Sequence, residues 1–401
     1  MSIEKINSWN NIILGDCCKE KPSYGINAAA VEFNEELPRY IRITDIDDYG
    51  RFSPNKLTSV NEKGWEDFIL KKDDVLFVRT GSTTGKSYLY QEKDGELVYA
   101  GFLIKFSVDK TILLPYYLKL FTESSFYNQW VSVMSVRSGQ PGINSKEYSL
   151  LPIHLPPLKE QQEIAKILST WDEAIETTQS LIEKLQFRKK GLMQELLSGK
   201  KRLAGFSEEW EENNLGDFII SNPRPKNKPK NTFLALGLRS HGKGVFHKKD
   251  FDPNSIAMET LYEVQENDLV VSITFAWEHA IAVADKKDDG GLVSHRFPTF
   301  IFKEGISDAK FFRYYVLQPR FKYMLGVISP GGAGRNRVMS KKHFPQLVVK
   351  VPKYEEQVAI ANVLDKVDEE INIASKHLES LKNQKKGLMQ QLLTGKKRVK
   401  L

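Results

Sequence analysis

Gly81-Ser82-Thr83-Thr84-Gly85-Lys86-Ser87 carries the residue types of a phosphate-binding loop. A nucleotide-cradling loop needs four residues between its glycines before Lys and Ser/Thr, and here there are three. No convincing second metal-binding carboxylate follows, so a nucleotide site is not expected. The same residues suit a polar turn after a strand, in which Arg79, Ser82, Thr83, Thr84 and Lys86 can hydrogen-bond phosphates or bases. An exposed turn without a ligand is the plainer alternative. A second glycine-rich polar turn, Arg137-Ser138-Gly139-Gln140-Pro141-Gly142, has a counterpart by location in Gly331-Gly332-Ala333-Gly334-Arg335-Asn336-Arg337. Arginine and glutamine or asparagine are the side chains that read guanine and adenine edges in bidentate fashion, and glycine lets a backbone approach a ligand closely. Residues Asn222 to Lys249 add eight Lys/Arg, Arg239 and Lys243 among them, with no Asp or Glu. That stretch is either a solvated basic loop or a phosphate-tracking edge with salt-dependent binding.

Catalytic constellations are missing. No Gly-x-Gly-x-x-Gly cofactor turn follows a strand, and no Ser/His/Asp or Cys/His arrangement stands out. Asn222-Pro223-Arg224-Pro225 lacks the second proline in place and the aromatic of an adenine-methylating loop. His241 and His247 are six residues apart without a Cys or carboxylate to complete a metal set. The only cysteines, Cys17 and Cys18, are too few for a disulfide scaffold or a thiolate zinc site. No metal, no cofactor and no catalytic role are therefore expected. The 401 residues, 41% hydrophobic and 11% aromatic, exclude wholesale disorder and leave room for two or three domains. Apolar runs as short as Ala280-Ile281-Ala282-Val283-Ala284 give no membrane span, and the N-terminus lacks a secretory stretch, so a cytoplasmic protein is expected. The net charge of +7 permits a polyanionic partner without requiring one.

The elements that must position these turns are set by an internal repeat. Pro156 to Leu203 aligns without a gap to Pro352 to Val399 at an offset of 196, with 23 of 48 positions identical, which is too many for chance. Both copies carry a heptad seam: Ile164, Leu168, Trp171, Ile175, Thr178, Ile182, Leu185, Lys189, Leu192, Leu196, and Ile360, Leu364, Val367, Ile371, Ala374, Leu378, Leu381, Lys385, Leu388, Leu392. The 4,3 spacing predicts long coiled-coil helices, each introduced by proline and stopped by glycine (Gly199, Gly395). About 38 residues make a rod of roughly 57 Å. A seam constrains only apolar positions, yet both copies also share Lys-Lys-Gly-Leu-Met-Gln near their ends. That predicts two copies of one partner, bound through Leu192, Met193 and Leu196 in the first helix and Leu388, Met389 and Leu392 in the second.

Before each helix lies a segment of similar length with β-branched and aromatic runs, such as Asp74–Val78 and Asp268–Ile273. Each segment opens alike, with Trp9 and Leu14-Gly15-Asp16 matching Trp210 and Leu215-Gly216-Asp217 at an offset of 201. The expected fold class is α+β: two mixed α/β heads alternating with two long coiled-coil helices in a pseudo-two-fold repeat. The boundaries are 1–155 and 204–350 for the heads, and 156–203 and 351–401 for the helices. The heads diverge far more than the helices, so each head is expected to bind something different.

These features resemble the specificity subunit of type I restriction–modification systems. The resemblance rests on Pro-x-x-x-Glu-Gln (Pro156 to Gln161, Pro352 to Gln357) and on the Lys-Lys-Gly-Leu-Met-Gln…Gly-Lys-Lys-Arg ends. Tyr40 to Ile46, Gly81 to Lys86 and Gln140 to Asn144 support it. The second head departs from the glycine-lysine turn, with Thr274-Phe275-Ala276-Trp277 in its place. The resemblance implies two target recognition domains, each reading one half of a split sequence in double-stranded DNA. It also implies antiparallel helices acting as a ruler, two methyltransferase subunits that bring S-adenosylmethionine chemistry, and motor–nuclease subunits for restriction. The DNA-contacting residues expected are Arg79, Ser82, Thr83, Thr84, Lys86, Arg137, Ser138, Gln140, Arg239, Lys243, Arg335, Asn336 and Arg337. The alternative is a coiled-coil scaffold whose heads bind proteins.

Overall fold

In a computed structural model, residues 9–331 and 337–401 are described. The chain divides into two compact units. The first holds residues 1–179 together with 376–401, and the second holds residues 180–375. Each thus contains one head, the beginning of the helix that follows it, and the end of the other long helix.

The first head is closed by its own outermost strands, Asn10–Ile13 and Pro152–Leu155, which pair antiparallel. Between them lies an antiparallel four-stranded sheet in the order Ser23–Tyr24, Leu103–Ser107, Asp74–Val78, Ser87–Leu89. A second four-stranded sheet runs Ala30–Glu32, Thr58–Val60, Arg39–Ile41, Leu97–Tyr99, the last pair parallel. All five residues of Asp74–Val78 are buried, as expected for a central strand covered on both faces. Helices Pro115–Thr122 and Ser125–Met134 cover it.

The second head repeats the plan. Glu211–Asn214 pairs with Val348–Val351, and a four-stranded sheet runs Ile219–Ser221, Thr299–Phe302, Leu269–Val271, Ile281–Val283. Its other sheet has five strands, because Phe233–Leu238 and Val245–Phe251 form a hairpin at one edge.

The long helices span Leu158–Leu196 and Tyr354–Leu392. In the first unit, Ile164 and Leu168 share a core with Met389, Leu392 and Leu393. In the second, Ile360 and Leu364 share a core with Leu196 and Leu197. Low numbers of one helix meet high numbers of the other, so within each unit the packing is antiparallel. The heptad seam supplies the buried side: Ile175, Thr178, Val367 and Ala374 are buried along with the residues just named. Among the described residues no helix is long and apolar enough to cross a membrane, and no group of His, Cys, Asp and Glu is placed to hold a metal.

Candidate nucleic-acid interface

Three segments of the first head meet where strand Asp74–Val78 ends. The Arg79 amide donates to the Phe102 carbonyl (3.0 Å), and the Arg79 carbonyl accepts from Ile143 (2.8 Å). The Gly81 amide donates to Pro141 (3.0 Å), which ties the two glycine-rich turns together. The turn requires left-handed backbone at Gly81 (φ 87°) and Gly85 (φ 95°). A Cβ on Gly85 would lie 2.5 Å from Val131 Cγ1. Buried Tyr148 and Tyr127 hydroxyls donate to the Val78 and Gly85 carbonyls (2.7 Å each), fixing the stem.

This rigid frame presents some of the expected side chains and engages others. Ser82, Ser138 and Gln140 are exposed and Thr83 is half-buried. The Arg79 guanidinium lies over the Tyr24 ring (4.8 Å). Thr84 Oγ1 instead donates to the Gly81 carbonyl (2.7 Å). Lys86 Nζ pairs with Asp48 (2.7 Å), and this hydrogen bond holds the exposed Asp48 carboxyl below its usual range. Arg137 grips both oxygens of Glu147 (2.7 and 2.6 Å). Thr84, Lys86 and Arg137 thus also brace the turns from within the chain.

The second head has the same frame, at an offset of 194 in its strands and 196 where Met339 stands for Ile143. The Ile273 amide donates to Arg296 (2.9 Å) and the Ile273 carbonyl accepts from Met339 (2.7 Å). Ser272 donates to Ala280 (2.9 Å) where Val78 donates to Lys86 (2.8 Å). The left-handed position of Gly85 is held by His279 (φ 68°). Its Nε2 is 2.7 Å from the Val316 carbonyl, and burial pushes its pKa down. The ring is thus a neutral donor there. Arg337 is folded inward: it lies over Trp277 (5.3 Å) and donates to Ser329 (3.0 Å) and Gly326 (2.9 Å). Arg335 and Asn336 lie outside the described residues.

The basic stretch Asn222 to Lys249 contributes strands Pro225–Asn227 and Phe233–Leu238 and the start of Val245–Phe251, joined by turns, and pairing sorts its charges. Arg224 binds buried Asp268 (2.5 Å), Lys226 lies near Glu263 (3.5 Å), and Lys228 binds Glu259 (2.8 Å). His247 binds Asp288 (2.6 Å). Arg239, Lys243, Lys248 and Lys249 stay exposed. Arg239 and Lys243 flank a hairpin tip pinned to the Ala276–His279 turn by His241 N–H to the Glu278 carbonyl (2.6 Å) and Gly242 N–H to the His279 carbonyl (2.9 Å). Both cations thereby stand beside that turn.

Much of what the helices share serves the chain itself. In the first unit the Trp9 indole donates to Glu160 (3.0 Å), and Arg398 forks onto the same carboxylate (2.5 Å twice). In the second, Trp210 donates to Glu356 (3.2 Å) and Arg202 forks onto it (2.6 Å twice). Gln161 receives the Leu114 amide (2.9 Å) and Gln357 receives the Asp308 amide (2.9 Å), joining each helix start to its own head. The seam lysines find carboxylates. Lys385 bonds Asp172 (2.7 Å) and Glu123 (2.8 Å), and Lys189 bonds Asp368 (2.6 Å). Tyr116 donates to Asp172 (2.8 Å) and Tyr314 to Asp368 (2.7 Å). The structure also seats all six expected partner residues in the chain's own cores. Leu196, Met389 and Leu392 are buried there, and Leu192, Met193 and Leu388 pack against them half-buried. The antiparallel packing of the helices thus uses these apolar positions within the chain. The Trp–Glu–Arg clusters were not foreseen, although each of their residues recurs in both repeats.

A family model for the "Type I restriction modification DNA specificity domain" matches residues 7–186 and again 207–383. A putative type I restriction enzyme MjaX specificity subunit of Methanocaldococcus jannaschii is 29% identical over 350 residues, covering 82% of this chain and 79% of the relative. The MjaVIII specificity subunit of the same organism is 26% identical over 419 residues, covering 98% of this chain and 93% of the relative. The crystal structure of a type I restriction–modification S subunit from M. genitalium superposes with a TM-score of 0.60 at 16% identity, covering 98% of both chains. A chain from a study of complex assembly and conformational transition of the type I R-M system gives 0.54 at 15% identity, covering 98% of this chain and 99% of that one. These two likenesses concern the fold.

Proposed function

This chain belongs to the type I restriction modification DNA specificity family, and we propose that its two heads each read one half of a bipartite target in double-stranded DNA. As a specificity subunit it contributes recognition and leaves catalysis to its partners. One observation carries the reading: the same hydrogen-bonded frame recurs around Arg79 and Ile273 while the side chains displayed on it change. A shared frame with changed surface residues is what two readers of different sequences need. Arg79, Ser82, Thr83, Ser138 and Gln140 are the first head's candidates for bases and phosphates, and Arg239 and Lys243 the second head's for phosphates.

In this reading the segments 1–155 and 204–350 recognise DNA, while 156–203 and 351–401 set the gap between half-sites. The helices also offer a surface to two methyltransferase subunits, to which motor–nuclease subunits are added, and the work is cytoplasmic. Support for two copies of one partner comes from identities the chain does not use internally. Lys190, Gln194, Lys386 and Gln390 are exposed, and a Cβ on Gly191 or Gly387 would touch nothing within 4 Å.

Deleting one heptad from each helix removes about 10 Å of rod. Methylation mapping in cells carrying the complex should then show a changed gap between unchanged half-sites. Changed half-sites with an unchanged gap would refute the ruler. A salt titration should show DNA affinity falling steeply with salt; heads that bind proteins would show no such dependence.

A further inference from the structure

The two heads place a cation and an apolar side chain at the same cross-strand pair, but on opposite members of it. Val78 pairs with Leu103 and Leu269 with Phe300, so the registers run on to Arg79 opposite Phe102 and to Ile273 opposite Arg296. The hydrogen bonds agree: residue 79 donates to 102 at 3.0 Å, and 273 donates to 296 at 2.9 Å. In the first head the arginine is on the outgoing strand and exposed Phe102 is on the return. In the second, half-buried Ile273 takes the outgoing position and exposed Arg296 the return. Arg296 was not among the residues that composition or motif singled out.

We propose that Arg296 is the base-reading arginine of the second head, the counterpart of Arg79, and that it selects a guanine in that head's half-site. The inference rests on the reading of the heads as DNA-binding. Arg337, the nearby alternative, already spends donors on two backbone carbonyls and stacks on Trp277. Arg296 has no carboxylate partner among the described residues, and its backbone is held by the frame. A planar guanidinium fork matches guanine O6 and N7, the commonest specific contact in the major groove. Residues opposite each other across a ladder lie about 5 Å apart at Cβ. A base step is about 3.4 Å, so the swap moves the guanidinium by roughly one step relative to the frame.

The test uses the full chain assembled with its methyltransferase subunits. The methylated motif is mapped for wild type, Arg79→Ala, Arg296→Ala and the exchange I273R/R296I. Duplexes carrying the mapped wild-type target, with each position varied, then measure preference directly. Arg296→Ala should relax one guanine of the second half-site by roughly 5- to 150-fold and leave the first half-site intact. The exchange should move that guanine by one step. Arg296→Lys, which keeps charge and fold but lacks the fork, should retain binding and lose the preference. If Arg79→Ala relaxes one half-site while Arg296→Ala and Arg296→Lys leave the other unchanged, the assignment of Arg296 is wrong and the heads remain DNA readers. If no variant alters either half-site, the reading of the heads itself fails.

Discussion

Arg202→Ala should be far more damaging than Glu356→Gln, although both break the same ion pair. The Glu356 side chain is only 3% exposed and Arg202 is 23% exposed. Removing Arg202 leaves a carboxylate in the interior with a single donor, the Trp210 indole at 3.2 Å. Breaking a buried pair from that side costs about 3–5 kcal/mol, and the surviving indole bond places this case near 3. Glu356→Gln keeps an acceptor for Trp210 and lets Arg202 turn to water. Its cost is the difference between charged and neutral hydrogen bonds, about 1 kcal/mol. For a unit of about 200 residues, 1 kcal/mol shifts Tm by about 2–4 °C, giving drops of roughly 6–12 °C and 2–4 °C. Thermal unfolding of the full chain reads both, and the double variant should fall short of their sum because the two residues share one interaction. Equal and small effects, of the size typical of exposed ion pairs, would refute the claim that Glu356 is a buried anchor between helix and head.

Three further outcomes are expected. Burial raises the Asp172 carboxyl, but Lys119 and Lys385 outweigh it and hold Asp172 below its usual range, while Glu123 and Asp172 overcome burial to raise Lys385. The stability from Asp172 is complete above about pH 4 and lost as pH falls through its lower folded pKa; that from Lys385 is complete below about pH 10 and lost as pH rises through its higher one. Unfolding midpoints of wild type and Lys385→Met should therefore differ most between these limits and converge outside them. Gly85→Ala should destabilise by about 2–4 kcal/mol through left-handed strain and overpacking against Val131, measured by denaturant unfolding. Gly191→Ala should stabilise the chain alone by about 1 kcal/mol, since the helix gains propensity and the added Cβ meets open space.

The helices were legible because a heptad seam is a local pattern: Ile164 and Leu168 announce their burial by spacing. The heads as mixed α/β segments were legible for the same reason, through runs such as Asp74–Val78. What escaped was whatever depends on strands distant in sequence. Asn222 to Lys249 contains no acid, but Glu259, Glu263 and Asp268 arrive from later in the chain and pair with three of its cations, while Asp288 bonds His247. Lys86 and Arg137 also have carboxylate partners, Asp48 and Glu147, that their own turns do not announce. Arg296 was invisible because the offset between copies is 201 at the head starts, 194 in the central strands and 196 in the helices. Insertions and deletions between these blocks hide the correspondence until hydrogen bonds reveal it.

The make-up of the first unit bears on the order in which the protein can mature on the ribosome. Ile164 and Leu168 need Met389, Leu392 and Leu393 to close their core, and those residues are translated more than two hundred positions later. The second unit draws on one uninterrupted stretch, residues 180–375, and can complete itself while the first still waits. At roughly 5–20 residues per second, the open face of the first helix stays bare for about 10–40 s. The half of the molecule made first is thus the half finished last, and chaperone demand during translation should fall on it.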